Sequence, residues 1–335
     1  MPIGAALSIS EQKIHTFSIE IAALWRYHVP DEVIGMKNLM LIVNPNAGKG
    51  GYKTALGQVL HIFYTGGYLC RVFFTEGGGS ARRLCREHAA EYDLVVCMGG
   101  DGTLSEVTAG LAETENAPEM GYIPMGTTND MANSLGLGKD AAECAHTILT
   151  GRAMELDIGS FGRNDRFTYV AAFGAFTDVS YMTPQQNKQT LGHLAYLLEG
   201  MKSLPKLPLT HARVEHDGGV LEGDFILGGV SNSTSIAGLF KLDDSLVSFS
   251  DGQFELVLVR YPKSIADLQT ALTEYMNRQY QGSQLTVLHS SRVKFTFDKP
   301  VAWTRDGENG GEHLSAELAV IPRAVRIRVS PERFA

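Results

Sequence analysis

A glycine-rich turn between an apolar run and an amphipathic segment constrains this chain more than any other feature. Residues Leu94–Met98 are apolar, Gly99-Gly100-Asp101-Gly102 forms the turn, and Thr103–Ala112 has the periodicity of a helix. This order is typical of a buried strand that passes directly into a helix, whose first backbone N–H groups attract phosphate. Because Asp101 would repel phosphate, the turn predicts a divalent cation between the carboxylate and the phosphate.

The length, charge and cysteine content of the chain exclude several classes of protein. With 335 residues it is expected to form two domains. The net charge of −8 argues against non-specific nucleic-acid binding and against a broadly basic membrane-binding face. The four cysteines form no CxxC pair, which favours reduced thiols in a cytosolic protein over a disulfide framework or a zinc site. No apolar run reaches the roughly 18 residues of a transmembrane helix.

Residues 1–36 form an N-terminal extension before the first clear strand pattern. They lack the features of a signal peptide but contain a modest helical pattern. Two hypotheses remain open. Either Met36 is the natural start and the preceding residues are a mis-assigned extension, or they contain a helix that docks on the body of the protein or on a membrane.

The first half of the chain alternates between strand and helix patterns. Alternation with continuous apolar strands predicts a doubly wound parallel sheet that is covered by helices on both faces. The predicted strands are Asn38–Val43, Arg71–Thr75, Leu94–Met98 and Tyr122–Pro124; the predicted helices are Tyr52–Tyr64, Ser80–Ala90 with Ser80 as its N-cap, Thr103–Ala112, Met131–Leu137 and Ala141–Thr150. Ligands of such sheets bind at the carboxyl ends of the strands, where the turns 44–48, 99–103 and 126–130 lie.

The second half of the chain has the period-two patterns of an antiparallel β domain. It is expected to be sandwich-like, with helical insertions at Leu191–Leu204 and Ser264–Tyr280. The predicted strands are Glu155–Ile158, Thr168–Ala172, Ala212–Glu215, Phe225–Val230, Phe254–Val259, Val293–Phe297, Val301–Trp303, Leu318–Ile321 and Val325–Val329.

The turn Asn44-Pro45-Asn46-Ala47-Gly48 offers backbone amides and Asn side chains to a nucleotide phosphate or ribose. It is not a P-loop, because Gly48–Thr54 lacks the Gly-Lys-Ser/Thr ending. The turn Gly100-Asp101-Gly102 is also a poor dinucleotide fingerprint, because Ser105 stands where the third glycine would be. Both turns are therefore candidates for phosphate binding outside these two motifs.

A second acid follows a strand in Gly126-Thr127-Thr128-Asn129-Asp130. Taken alone, Thr or Asp here is expected to cap the helix that begins near Met131. Two acid-bearing turns on parallel strands favour another interpretation, in which Asp101 and Asp130 hold magnesium against a polyphosphate.

Three further acids permit both a structural and a functional interpretation. Asp157 is either a solvated carboxylate at a sheet edge or part of a site. Asp306-Gly307 predicts a hairpin turn, and the Glu308 that follows would be a base for a substrate hydroxyl if it reaches the aspartates. Asp251 either shapes a turn or binds a cation together with neighbouring backbone carbonyls.

The three turns, in this order and at this spacing, resemble the diacylglycerol kinase catalytic family, which includes sphingosine and ceramide kinases. Within the family the chain is most similar to the soluble bacterial diacylglycerol kinases, from about Lys37 to the C-terminus. Gly-Gly-Asp-Gly-Thr also occurs in NAD kinases and phosphofructokinases, whereas the Gly-Thr-x-Asn-Asp turn is more specific to lipid kinases.

The resemblance implies roles for individual residues. Asp101, Asp130 and Asp157 correspond to a network of aspartates, water and magnesium, and Glu308 to the general base. Asp251 would hold a structural magnesium with the carbonyls of Ser248 and Gln253. ATP is expected between the domains, on Asn44, Pro45, Asn46, Ala47, Gly48, Thr75, Gly99, Gly100, Asp101, Gly102, Thr103, Leu104, Ser105, Gly126 and Thr127.

The chain departs from the family pattern at two places. Ser105 stands where relatives usually have Asn, and Thr168-Tyr169-Val170-Ala171 follows Phe167 where relatives often have Asn. None of the acids is missing, so loss of activity is not indicated.

The resemblance implies an ATP- and Mg²⁺-dependent kinase that converts diacylglycerol to phosphatidic acid. Its domains are expected at 37–157, completed by a C-terminal strand within 324–335, and at 158–323. The protein is expected to be cytoplasmic and peripherally associated with the inner face of the membrane, with Leu191–Leu204 as a docking or core helix. Exposed sheet edges are expected to allow a homodimer. Three alternatives remain: another lipid acceptor (ceramide, sphingosine or undecaprenol), an NAD-kinase-type enzyme, or a non-catalytic lipid-binding protein on a kinase scaffold.

Overall fold

A computed structural model describes residues 35–175, 208–236 and 240–334. The expectations for residues 1–34 and for the helix at 191–204 lie outside the described residues. The helices are α1 Tyr52–Thr65, α2 Ser80–His88, α3 Asp101–Ala112, α4 Asp130–Leu135, α5 Ala141–Thr150 and α6 Ile265–Met276. The strands are β1 Lys37–Val43, β2 Tyr68–Phe74, β3 Leu94–Gly99, β4 Glu119–Pro124, β5 Arg152–Phe161, β6 Asp165–Phe167, β7 Val170–Gly174, β8 Thr210–His216, β9 Gly219–Ser231, β10 Ser235–Ile236, β11 Phe240–Lys241, β12 Phe254–Arg260, β13 Leu285–Ser290, β14 Arg292–Arg305 and β15 Glu308–Val329.

The N-terminal part is an α/β domain around a parallel sheet in the order β2-β1-β3-β4. The central strands carry apolar side chains on both faces, and Leu39–Val43 and Leu94–Met98 are completely buried. One face packs against α1 and α5 and the other against α2 and α3. The α/β class predicted from the strand and helix alternation is therefore confirmed.

The C-terminal part is an all-β domain of antiparallel strands in the order β13-β12-β9-β7-β14-β15. Its core is aromatic, and Trp303 packs edge-on or tilted against Phe161, Phe173 and Phe295 at centroid distances of 5.1–5.2 Å. The helix α6 interrupts the strands within the predicted insertion 264–280, where Ser264 and Asp267 form a capping box. The coarse prediction of an all-β second half is confirmed.

The long strand β15 joins the two parts into one continuous sheet. Strand β15 pairs antiparallel with β5 and, near its end, parallel with β4 through Ile327 and Met120. The register of β15 against β5 breaks between Ile321 and Val325, and Arg323 in this bulge has a left-handed φ of 50°. The predicted runs at 318–321 and 325–329 are therefore two halves of one strand. The exact domain boundaries remain a prediction.

The start of α2 differs from the sequence prediction. Its N-cap position is Gly79, and the Ser80 hydroxyl accepts the N–H of Glu76 instead of capping the helix. The N–H groups of Gly79 and Ala81 donate to the Glu106 carboxylate of α3, at 2.6 and 2.9 Å. A carboxylate from the neighbouring helix thus satisfies N–H groups that a local cap would have satisfied. Along the described part of the chain, no helix is long and apolar enough to cross a membrane.

Candidate active site

The three predicted turns lie together at the carboxyl ends of β1, β3 and β4. The Asn44 side chain donates to the Thr103 hydroxyl at 2.8 Å, which joins the first turn to the start of α3. The backbone N–H of Met125 donates to the Gly99 carbonyl at 2.7 Å, which joins the second turn to the third. These contacts assemble one surface from three separate segments, as the parallel sheet predicts.

Glycines allow the backbones of these turns to approach one another. Gly48 has a φ of 54°, and a Cβ there would overlap the Met125 carbonyl. A Cβ on Gly126 would lie 2.9 Å from the Cα of Gly100. The turns therefore pack through bare backbone. The N–H groups of Asn46 and Gly126 donate to the Asn44 and Asn129 side chains, each at 2.9 Å, so the start of α3 is the part of this surface that offers helix N-terminal N–H groups to a phosphate.

Asp101 and Asp130 form an acidic pair within this surface. Each is the first residue of its helix, and the N–H of Asp130 donates to Asp101 Oδ2 at 3.2 Å. Asp130 is 2% exposed, and Asp101 Oδ1 is buried without a hydrogen-bond partner. Burial, with the Asp130 carboxylate as the next cause, raises the pKa of Asp101 to about 6. The pair is brought together as predicted. The N-cap position of α4, Asn129, makes no side-chain cap, and Asp101 accepts the first N–H of the helix instead.

The chemistry of this pair fits magnesium. A buried carboxylate oxygen without a donor, next to a second carboxylate, is stabilised by a cation that removes the repulsion between them. Within the described residues no group of three or more His, Cys, Asp or Glu side chains is placed to hold a metal. Two carboxylates agree with a magnesium ion that completes its coordination with water and phosphate oxygens.

Glu308 reaches the surface formed by the three turns from the all-β domain. It follows the two-residue turn Asp306-Gly307, whose φ angles of 48° and 84° are those of a tight hairpin turn. Its carboxylate contacts Gly102 in the first turn of α3, where a Cβ would overlap the carboxylate oxygen. Burial raises the pKa of Glu308, and the carboxylates of Glu106 and Asp306 add to this effect. A carboxyl group with a raised pKa beside these turns is suited to accept a proton.

Asp157 is buried and is not the solvated edge carboxylate that the sequence allowed. It is 0% exposed, and its two oxygens accept the N–H groups of Arg323 and Gly252, each at 2.6 Å. Burial raises the pKa of Asp157, and these two hydrogen bonds oppose the rise. Asp157 thereby joins the bulge of β15 to the loop 248–253.

Asp251 lies in that loop and is exposed. Its carboxylate accepts the N–H of Gln253 at 3.0 Å, which is the turn-forming contact that the sequence predicted as one alternative. The cation-binding role of Asp251 with the carbonyls of Ser248 and Gln253 stays a prediction.

The residues predicted to contact ATP surround this surface. Thr75 follows β2, is buried, and donates its N–H to the Val43 carbonyl. Thr127 is exposed at the rim of the third turn. Leu104 is different, because its side chain is completely buried in the core beneath α3, so only its backbone is available to a nucleotide.

Asp306 is the main residue that sequence reasoning missed. It is 3% exposed, and its carboxylate accepts the N–H groups of Thr168, Tyr169 and Val170 at 2.6–3.1 Å. Burial raises the pKa of Asp306, and a hydrogen bond from the Ser105 side chain together with the three N–H groups opposes the rise. The two departures from the family pattern, at Ser105 and at 168–171, therefore meet on one carboxylate. The occurrence of both departures in one chain was the sequence signal that could have indicated this contact.

A parallel α/β domain that holds paired acids at glycine turns, with a third acid delivered by an all-β domain, has the parts that phosphoryl transfer requires, which is the chemistry of a kinase. The catalytic domain model of the diacylglycerol kinase family matches residues 38–161. A diacylglycerol kinase of Bacillus subtilis (strain 168) is 34% identical over 301 residues, which cover 89% of this chain and 98% of that protein. A diacylglycerol kinase of Staphylococcus aureus (strain MRSA252) is 32% identical over 293 residues, or 87% and 92% of the two chains.

A solved structure supports the same assignment at the level of the fold. The crystal structure of a diacylglycerol kinase from Bacillus anthracis str. Sterne matches with a TM-score of 0.68 at 21% identity, over 88% of this chain and 98% of that one. The chain belongs to the diacylglycerol kinase family and is a lipid kinase. The resemblance recognised from the three turns is confirmed.

Proposed function

We propose that this protein transfers the γ-phosphoryl group of ATP to the hydroxyl of diacylglycerol and produces phosphatidic acid. The observation that carries the proposal is the contact between Glu308 and Gly102, which brings a carboxylate of the all-β domain to the turn that bears Asp101. The relatives in Bacillus subtilis and Staphylococcus aureus are diacylglycerol kinases by name, which supports diacylglycerol as the acceptor.

Each part of the site has a separate task in this reaction. The backbone N–H groups at the start of α3, in the turn 99–103, hold the phosphates of ATP, and the turns 44–48 and 126–127 contact the nucleotide beside them. Asp101 and Asp130 would hold a magnesium ion, which when bound neutralises charge on the transferred group. Glu308 accepts the proton of the lipid hydroxyl, an assistance typically worth about 100- to 10,000-fold in rate. Alignment of ATP and the lipid hydroxyl supplies the remaining rate enhancement.

A second cation is proposed at the loop 248–253. Asp251 and the carbonyls of Ser248 and Gln253 would hold it, which would make it structural rather than catalytic. The support is the order of this loop, since Asp157 accepts the N–H of Gly252 and Asp251 accepts the N–H of Gln253. Through Asp157, the same cation would stiffen the bulge of β15.

The acceptor requires contact with a membrane surface. We propose that the protein is cytoplasmic and docks peripherally on the inner face of the membrane to reach its lipid, and that it forms a homodimer. The absence of a spanning helix in the described residues is compatible with peripheral docking.

A panel of acceptors in mixed micelles tests the proposal. The purified protein is supplied with ATP and Mg²⁺ and with diacylglycerol, monoacylglycerol, ceramide, sphingosine, undecaprenol or NAD in separate reactions. We expect the highest rate with diacylglycerol and phosphatidic acid as its product. A higher rate with another lipid would show that this lipid, and not diacylglycerol, is the acceptor. Turnover of NAD would show an NAD-kinase-type activity. No turnover on any acceptor would favour a non-catalytic lipid-binding protein.

A further inference from the structure

Arg305 and Glu308 are the last residue pair of the β14–β15 hairpin before its turn. Directly opposed residues of an antiparallel pair place their side chains on the same face, within reach of each other. An arginine and a glutamate in this position would ordinarily form an ion pair. Yet among the ion pairs of the described residues, none joins Arg305 to Glu308.

Arg305 is held instead by the neighbouring β5–β6 hairpin. Its Nη1 lies 3.0 Å from Asp165 Oδ2, and its guanidinium lies 5.4 Å from the ring centroid of Phe161. The Arg305 side chain is 21% exposed and that of Asp165 is 51% exposed, so the contact is partly shielded from water. Asp165 and Phe161 therefore fix the direction of the guanidinium.

The β5–β6 hairpin is in turn attached to the α/β domain. The Asn164 carbonyl, next to Asp165, accepts a hydrogen bond from the Arg82 side chain of α2 at 3.1 Å. Arg82 also pairs with Glu113 at the end of α3. The hairpin that carries Asp165 is thus connected, through Arg82 and Glu113, to α3, and the first turn of α3 contacts Glu308. The same helix therefore fixes the positions of both Asp165 and Glu308.

The position of the guanidinium matters for the proton acceptor. The charged groups around Glu308 are Glu106 of α3, Asp306 of the turn and Arg305 of β14, and Arg305 is the cation among them. A direct pair would occupy the carboxylate oxygens and weaken them as a base. A guanidinium held to one side attracts the carboxylate while leaving its oxygens free.

We propose that Asp165 and Arg305 are positioning residues for phosphoryl transfer, and that Asp165 keeps the Arg305 guanidinium off the Glu308 carboxylate. This inference rests on the proposed role of Glu308. In the step concerned, the lipid oxygen bonds to the γ-phosphorus, the bond to the β–γ bridging oxygen breaks, and ADP leaves with that electron pair. The hydroxyl proton passes to Glu308, whose oxygens must be free at that moment.

Two substitutions with opposite expected effects test the inference. The rate is measured from pH 5 to 9 at saturating Mg²⁺ and ATP, where it rises with pH as Glu308 loses its proton. Asp165→Asn releases Arg305 to pair with Glu308. The midpoint of the rise in rate should then move about half a pH unit lower, and the maximal rate at high pH should fall. Arg305→Gln removes the cation, so the rise should move about one unit to higher pH. The double variant should behave as Arg305→Gln, since Asp165 acts through Arg305.

Controls separate this inference from general structural damage. Asp243→Asn removes a half-buried aspartate paired with Arg278 elsewhere in the all-β domain and should leave the profile unchanged. Arg305→Lys keeps the positive charge, so its pH profile should lie close to that of the wild-type protein. Unshifted profiles, or shifts in the same direction for both single variants, would overturn the inference.

The failure of the proposed function has a different signature. If Glu308→Gln keeps the wild-type rate, Glu308 is not the proton acceptor and both proposals fall. If Glu308→Gln is slow while the Asp165 and Arg305 variants share the wild-type profile, the base stands and only the positioning role is wrong.

Discussion

Asp101 is a residue that folding alone would not favour. One of its carboxylate oxygens is buried without a donor, and Asp130 lies beside it. Its pKa in the folded protein is about 6, raised from 3.8, so the ionised form is destabilised by folding. The protonated form carries no such penalty. Stability therefore falls as pH rises from about 4 through 6 and stays low above that range.

Asp101→Asn should stabilise the metal-free protein while abolishing kinase activity. The carboxamide keeps an acceptor for the N–H groups of α4 but removes the buried charge. We expect a gain of about 1–3 kcal/mol in the free energy of unfolding at pH 8 that shrinks towards pH 4. Urea unfolding at both pH values without metal measures it. A variant that is destabilised at pH 8, or that retains turnover, would contradict the assignment of Asp101.

Gly102 is required for the approach of Glu308 and not for the helix. Ala is the better helix former by up to about 1 kcal/mol, so Gly102→Ala should not lower the free energy of unfolding. Its Cβ would displace the Glu308 carboxylate, and we expect the rate to fall at least about tenfold. The matched control is Gly57→Ala in α1, where a Cβ meets no atom within 4 Å. Equal rates for the two variants would remove the Glu308 contact from the mechanism.

At the scale of elements, the β14–β15 hairpin is fixed by its own turn residue. Asp306→Ala leaves the N–H groups of Thr168, Tyr169 and Val170 without their acceptor inside the protein. We expect a loss of about 3 kcal/mol in the free energy of unfolding. The exposed Asp298→Ala is the control and should cost less than about 1 kcal/mol. Similar losses in chemical denaturation of the two variants would show that Asp306 is not an anchor.

The sequence predicted the elements whose signals are local. The apolar runs of β1 and β3, the helix α3 and the Asp306-Gly307 turn are each specified by a few neighbouring residues. The approach of Asp101 and Asp130 was also predictable, because carboxyl ends of parallel strands lie at one edge of the sheet. The capping of α2 by Glu106 could not be predicted, because Glu106 belongs to another helix and Ser80 offered a local alternative.

Contacts between distant segments account for what the sequence could not predict. Asp306 meets residues 168–170 and Asp165 meets Arg305 only because two hairpins pack side by side. The burial of Asp157 depends in the same way on the bulge at Arg323 and on the loop at Gly252. No local pattern encodes such pairings.

At the scale of the whole molecule, strand β15 pairs with β4 of the α/β domain and with β14 of the all-β domain. A shared sheet couples their stabilities, so we expect the domains to unfold in one transition. Trp303 fluorescence reports the all-β core, and far-UV circular dichroism reports mainly the helices of the α/β domain. In a Trp25→Phe background, the urea midpoints from the two signals should coincide. Two separate midpoints would show that the domains unfold independently.

The most direct test of the account is a single-turnover comparison of the wild-type protein with Glu308→Gln. Enzyme in excess over labelled ATP, with Mg²⁺ and diacylglycerol micelles, isolates the transfer step, and ATP binding is measured separately. We predict that the transfer rate falls about 100-fold or more while the dissociation constant for ATP changes less than about threefold. An unchanged transfer rate would contradict the claim that the all-β domain supplies the proton acceptor.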